Sequence, residues 1–518
     1  MKTAREALVQ TLKKNKIALV AGVYGDPATA LLDECAKQGL RTEISTEEKT
    51  AFAQALGASV AGLPSVVIVK QVGINVLADP LVTAVTHGIG AGLLLIAGDD
   101  PGAAKSQNEQ DSRWYAKLAN IPVLTPPGSQ YVSDAAIEGL ELSATLGIPV
   151  MMQVTGRLLD GEGRPSEMPL TVEARFDRDR AWKNLILDRY KYYYQKIYPQ
   201  LIELVEDSPL HQAPQGSLDP PLAQPAAGQD VRSRRSLAGV ISCGFVSTLV
   251  TEERHFALGY AHPLPERALV NFLKDLDRVV VVEEVAPLLE ESVNALVARH
   301  GLKTQVLGRL TGHLPRIGRL EAQHITEAWE RDPRDLYLDI PTQVSGGILE
   351  LPCGGFELLY QVLDEVLPEG HLVAGDVGCS ILHGYFPPQI IDTAYALGTS
   401  ISTAAGMSLS GRKGVAIIGD TGFIHSGITG LLNAVEHRHD LLVIILYNKF
   451  SAMTPGAKPI PGLERVRALV EACGPDAIDE IHMEQVSAAE LKKLLERRLG
   501  ERGVQVLLAH ARPKRLHQ

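Results

Sequence analysis

Two polar side chains stand just beyond two strongly apolar runs in the last third of this sequence. Residues 415–418 lead into Gly419-Asp420-Thr421-Gly422, and residues 442–446 lead into Tyr447-Asn448-Lys449. Asp420 and Asn448 are 28 positions apart, room for one crossover helix between two parallel strands. In such a sheet both side-chain oxygens converge at the strand tips, where open α/β sheets bind ligands. A few hard oxygens in one place suit Mg2+, with diphosphate oxygens and water completing the octahedron. The backbone carbonyl of Phe450 is a natural third protein ligand. Gly419 and Gly422 let the backbone approach a diphosphate, and the amides of a helix starting near His425, Ser426 and Gly427 can donate to it. A pair of ordinary strand-end turns is the bland alternative.

The elements that would position these residues are those of a parallel α/β chain. Its 518 residues exceed what one core supports and predict about three domains. In the first, apolar runs at 17–21, 65–69, 93–97 and 149–155 alternate with helical stretches, and each ends at a polar or glycine-rich corner. Residues 207–235 are rich in Pro, Gln, Ser, Gly and Ala and read as a linker. A second α/β unit follows, with strands at 238–242 and 278–283 and a helix at 265–276. Glu283 and Glu284, at the end of the later strand, read as an interface or a solvated terminus. The third unit has strands at 371–374, 414–418, 441–447 and 504–509. The expected boundaries are 1–206, 207–235, 236–345 and 346–518. Five tyrosines, from Tyr190 to Tyr198, lie on a charged helix and suit packing or an interface.

Composition narrows the partners. A formal net charge of -11 disfavours a nucleic-acid backbone. The longest apolar stretch, residues 88–98, is about half of what a membrane span needs, and the start of the chain does not read as a signal sequence. Five scattered cysteines suit a reducing compartment, so a cytoplasmic location is expected.

The stretch from Gly419-Asp420-Thr421-Gly422 through Phe423-Ile424-His425-Ser426-Gly427-Ile428, then Asn433-Ala434-Val435, then Asn448 to Ala452-Met453-Thr454-Pro455-Gly456, closely resembles the thiamine diphosphate domain of the indolepyruvate:ferredoxin oxidoreductase alpha-subunit family. The likeness extends to Gln71-Val72-Gly73-Ile74-Asn75-Val76, Asp99-Asp100-Pro101, Pro263-Leu264-Pro265-Glu266 and Leu310-Thr311-Gly312-His313-Leu314-Pro315, most of the chain. It implies a multi-domain, parallel-sheet thiamine diphosphate fold with pyrimidine-binding and diphosphate-binding domains and a middle α/β domain.

The resemblance also implies roles. Glu48, in Glu47-Glu48-Lys49, matches a glutamate that contacts N1′ of the aminopyrimidine and promotes loss of the thiazolium C2 proton. A surface ion pair with Lys49 is the alternative for Glu48. Gly375-Asp376-Val377-Gly378-Cys379-Ser380 matches a loop whose amides approach the diphosphate, and Cys379 is either part of that contact or a buried inert thiol. Met453 joins the cofactor-facing set. The implied reaction is decarboxylation of an arylpyruvate-like 2-oxoacid, whose electrons pass to a second oxidoreductase-type subunit and an electron carrier, with coenzyme A as a candidate co-substrate, in a homodimer or hetero-oligomer.

The sequence also departs from the family. No C-x2-C-x2-C-x3-C run follows the last strand, and the family's C-x-G-C reads Cys353-Gly354-Gly355-Phe356. Cys353, Cys379 and Cys473 make three thiolates of a needed four, which counts against an iron–sulfur cluster in this chain. Asp26 replaces a threonine near the substrate, and Gln71 and Gln153 replace His and Arg, so the pocket's preference should differ. A subunit that hands electrons to partner chains is the first expectation. A non-oxidative decarboxylase or carboligase is the second, and a non-catalytic cofactor-binding subunit the third.

Overall fold

The structure is a computed structural model that describes residues 2–103, 106–172, 175–182, 186–212, 237–332, 355–385, 387–449 and 460–512. It divides into two compact units, Met1–Ile44 with Glu48–Gln343, and Ser45–Glu47 with Val344–Gln518. Among the described residues no helix is long and apolar enough to cross a membrane.

The first unit holds two sheets. Strands β1 (Leu19–Gly22), β2 (Thr42–Ile44), β3 (Ser65–Lys70), β4 (Leu93–Asp99), β5 (Val123–Leu124) and β6 (Val150–Thr155) lie in one of them. The other contains β7 (Ala238–Cys243), β8 (His255–Leu258), β10 (Arg278–Val282) and β11 (Gln305–Leu307), while β9 (Tyr260–His262) returns to the first sheet. The order in the larger sheet is β2-β1-β3-β4-β6-β5-β9. Every pairing in it is parallel except β5 with β9. In the smaller sheet the order is β11-β10-β7-β8, wholly parallel. Strand β4 is buried at all seven positions, as in a parallel sheet covered on both faces, which is why its sequence shows no alternation.

The second unit has β12 (Val373–Ala374), β13 (Gly414–Gly419), β14 (Leu441–Tyr447), β15 (Ala477–His482) and β16 (Val504–His510), in the order β12-β13-β14-β16-β15 and all parallel. The seven residues of β14, Leu-Leu-Val-Ile-Ile-Leu-Tyr, are all buried. The parallel α/β architecture expected from the strand-and-helix alternation is the one found, with additional short strands.

One expectation changes. Glu283 and Glu284 are neither interface nor solvated terminus: both are buried. Glu283 pairs with the Arg113 guanidinium at 2.9 Å, and Glu284 pairs with Arg157. In the tyrosine helix, Tyr193 is buried and its hydroxyl donates to the Asn120 carbonyl, so packing accounts for at least this ring. Most of the predicted linker, from residue 213 onward, lies outside the described residues.

Candidate active site

In the second unit β13 and β14 are neighbours, with Gly419 opposite Leu446, so Asp420 and Asn448 emerge side by side at the carboxyl ends. The Asp420 carboxylate is 2% exposed. Its Oδ1 accepts the Thr421 amide at 2.7 Å, and its Oδ2 accepts the amides of Asn448 at 3.0 Å and Lys449 at 2.7 Å. The first strand tip is thereby tied to the second. Burial pushes the Asp420 carboxyl up to about 6, against the pull of those three amides. Among the described residues no Lys or Arg side chain pairs with this acid, and a divalent ion would favour its charged form.

One expectation about this segment is corrected. The helix that follows β13 begins at Asp420 and runs to Glu436, as Asp420–Gly422, a π-helical turn Phe423–Gly427, and Ile428–Glu436. His425, Ser426 and Gly427 therefore sit inside the helix, not at its start, and their amides are not the open ones of a first turn. Burial of Phe423 and Ile424 draws this glycine-rich stretch into regular structure. The π turn is itself a feature that gathers at functional sites.

The Gly375–Ser380 segment follows β12. Asp376 is buried, and its carboxylate accepts the Gly398 amide at 2.8 Å and the Ser400 amide at 3.2 Å, fastening the loop before helix Ser400–Ser408. Burial raises this acid to about 6. A Cβ on Gly422 would stand 2.8 Å from Asp376 Oδ1, and one on Gly398, at φ +85°, would stand 2.0 Å from Ser426 Oγ. Only glycine fits at these two points. Ser426 Oγ donates to the Leu397 carbonyl at 2.9 Å, His425 Nδ1 lies 3.1 Å from the same hydroxyl, and Ser380 Oγ donates to the Asp376 carbonyl at 3.1 Å. Gly375 packs against Ile391. Gly378 and Gly419 have open space where a Cβ would lie, and Cys379 begins the short helix Cys379–Gly384. The structure thus gathers Asp376, Gly422, Ser426, Asp420 and Asn448 at one edge of the sheet. Phe450 and Met453 lie outside the described residues, as does Cys353.

In the first unit Glu48 opens helix Glu48–Val60 and is 8% exposed. A Cβ on Gly73 would stand 2.6 Å from Glu48 Cγ and Oε1, so the carboxylate lies directly on helix Gln71–His87. Lys49 pairs instead with Asp79 at the surface, at 3.5 Å.

Sequence reasoning missed a buried charge network along the carboxyl edge of the larger sheet. Arg113, fully buried, contacts Asp111 at 2.6 Å and Glu283 at 2.9 Å, and Gln153 bridges Asp111 to Asp99. The available signal was an acidic residue ending each of two apolar runs, Asp99 and Glu283.

Among the described residues no three His, Cys, Asp or Glu side chains form a metal-holding group. A site made of one carboxylate, one amide and diphosphate oxygens does not need three.

Residues 376–507 match the model of the C-terminal TPP binding domain of thiamine pyrophosphate enzymes, and residues 2–118 match the corresponding N-terminal TPP binding domain. Fold and site thus define a thiamine diphosphate enzyme. The chain is 29% identical to the indolepyruvate oxidoreductase subunit IorA of Archaeoglobus fulgidus, over 97% of this chain and 85% of that one. It is 30% identical to the subunit of the same name from Methanothermobacter thermautotrophicus, over 95% and 80%. The chain belongs to the family of indolepyruvate oxidoreductase subunit IorA, and is a thiamine diphosphate-dependent catalytic subunit of a 2-oxoacid oxidoreductase. Among solved structures it resembles a 2-oxoglutarate:ferredoxin oxidoreductase from Magnetococcus marinus, at 13% identity and TM-score 0.45 over 63% of this chain and 65% of that one. A thiamin diphosphate-dependent enzyme from Mycobacterium smegmatis matches at 17% identity and TM-score 0.30, over 99% and 100%.

Proposed function

We propose that Asp420 and Asn448, with the carbonyl of Phe450, hold Mg2+ against the diphosphate, and that Glu48 faces N1′ of the aminopyrimidine. The observation that carries this is the buried Asp420 carboxylate fastened to the amides of Asn448 and Lys449 at adjacent strand tips. Thiamine diphosphate, when bound, supplies a ring that takes up the electrons left when CO2 departs from a 2-oxoacid. The chain's own part is to hold and orient. Asp420 and Asn448 fix the cation, and the Gly375, Gly378, Cys379, Ser380 and Gly419 to Ser426 segments, with Met453, line the diphosphate. Glu48, buried against helix Gln71–His87, is placed opposite N1′. Residues 1–206 form the pyrimidine-binding part and residues 346–518 the diphosphate-binding part, joined through a middle domain at 236–345.

The substrate class is an arylpyruvate-like 2-oxoacid, which the names of the relatives support. Electrons pass to a second oxidoreductase-type subunit and an electron carrier, coenzyme A is the candidate co-substrate, and the assembly works in the cytoplasm. The test is 2-oxoacid-dependent dye reduction by the assembled complex, with and without Glu48→Gln. The variant should lose about 100-fold or more in rate while still binding thiamine diphosphate and Mg2+. Unchanged turnover in the variant would remove Glu48 from the mechanism.

A further inference from the structure

Three carboxylates and one guanidinium meet in the core beneath the carboxyl edge of the larger sheet. Asp111 is held by Arg113 and by the Ala286 amide at 3.0 Å. Glu283 is held by Arg113 and by the amides of Leu289 and Glu290, both at 2.8 Å. Among the described residues no cation pairs with Asp99. Its Oδ2 accepts the Ser112 amide at 3.1 Å and Gln153 Nε2 at 2.6 Å, and the same Nε2 reaches Asp111 Oδ1 at 3.3 Å, so two carboxylates share one amide. The Cys243 thiol, also against Arg113, is pushed up to about 12 by burial and adds no charge.

Asp99 Oδ1 is different again: it is buried, and among the described residues no donor meets it in hydrogen-bond geometry, although the Ser112 hydroxyl lies beside this acid. Asp99 lines a small cavity, about 40 Å³, together with Asp26, Asp100, Thr155, Arg157 and Arg319. That volume holds one to a few water molecules, and its walls are polar enough to keep them. The two arginines are engaged elsewhere. Arg157 donates to the Leu320 carbonyl at 3.1 Å and pairs with Glu284, and Arg319 donates to the Pro101 carbonyl at 2.9 Å and lies 3.7 Å from Asp100. Arg113 and the buried Arg309, which also acts on Glu283, offset Asp111 and Glu283, so ionising Asp99 would leave an uncompensated negative charge in the core, which is costly enough that a proton is retained instead. Asp99 is where it stays.

We propose that Asp99 is a proton store for the reaction, carrying a proton on Oδ1 and exchanging it with water in the cavity at the tips of β1, β4 and β6. This rests on the assignment of that strand edge to the pyrimidine side of the site. The same edge carries Glu48 after β2. It also carries Gln71 after β3, whose amide donates to Ser106 Oγ at 3.0 Å, which in turn donates to Asp100 at 2.8 Å. Burial first, and then the charge of Asp111, raise Asp99 to about 7, so the store fills and empties around neutrality. The exchange moves one proton between a carboxyl oxygen and a water oxygen, with no change of oxidation state.

The test is infrared titration of the full chain, wild type against Asp99→Asn and Asp26→Asn, followed by the pH profile of 2-oxoacid-dependent dye reduction in the assembled complex. The wild type should show a protonated-carboxyl band that titrates near neutrality, and Asp99→Asn should lose one carboxyl's share of it while the share of Glu290 remains. In Asp26→Asn the band should persist with a lower midpoint, since one acid facing the cavity is gone. The kcat profile of Asp99→Asn should lose its inflection near neutrality while KM stays put. A band unchanged in Asp99→Asn overturns the proposal, and so do parallel wild-type and variant pH profiles, which a merely structural residue would give. Absence of any 2-oxoacid turnover in the wild-type complex would instead overturn the assigned reaction, with the infrared band still deciding whether Asp99 holds the proton.

Discussion

Lys449 donates its backbone amide to Asp420 Oδ2 at 2.7 Å, and does so from the left-handed region, with φ at +69°. A non-glycine residue there costs about 1 kcal/mol, more if β-branched. The backbone strain is held where the two strand tips are joined. Lys449→Gly should therefore leave the fold as stable or about 1 kcal/mol more stable, whereas Lys449→Val should destabilise by about 1–3 kcal/mol and weaken cofactor binding. Chemical denaturation and cofactor titration of both variants check this. Equal effects of Gly and Val would mean that the backbone conformation is not what matters.

Gly73 sets the position of Glu48. A methyl group there would overlap the Glu48 carboxylate, at 2.6 Å, and must push it off helix Gln71–His87. Gly73→Ala is expected to lower turnover by about 10-fold to 100-fold, because misplacing a group by about 1 Å is that costly. Circular dichroism should be unchanged. Full activity in a folded Gly73→Ala protein would show that the Glu48 position is not critical.

Glu290 provides a pH-dependent prediction away from the cofactor site. One of its carboxylate oxygens accepts the Leu310 amide at 2.8 Å, and the other, buried, has no partner. Burial, with Glu283 adding to it, lifts this acid to about 7 from an ordinary 4.5. The folded state therefore binds more protons than the unfolded one between those values, and its stability falls as pH rises through that window. Glutamine cannot ionise. The stability of Glu290→Gln relative to wild type should rise with pH across the window, by on the order of 1–3 kcal/mol, and level off above it. Urea titrations at several pH values measure the gap, and a constant gap would contradict the assignment.

The residues at the second unit's strand tips were legible because apolar run, polar tip, one helix, apolar run, polar tip is a local pattern whose geometry a parallel sheet dictates. The helix start at Asp420 was not, since Gly419, Gly422 and Gly427 read as loop while the burial of Phe423 and Ile424 decides otherwise. Strands of two or three residues such as β5 and β9 carry too few positions for a period to show. The Arg113 network joins residues as far apart as 99 and 283, and no window along the chain contains both ends of it. Gly398 was missed for the same reason: what fixes it is a side chain 28 positions later, Ser426.

The most direct measurement is calorimetric titration of thiamine diphosphate into the full chain with and without Mg2+, for wild type and for Asp420→Ala. Binding should require the cation in the wild type and fall by about 100-fold or more in a variant that remains folded. An Asp420→Ala protein that binds the cofactor as tightly as wild type, with the same Mg2+ requirement, would contradict the assignment of that carboxylate.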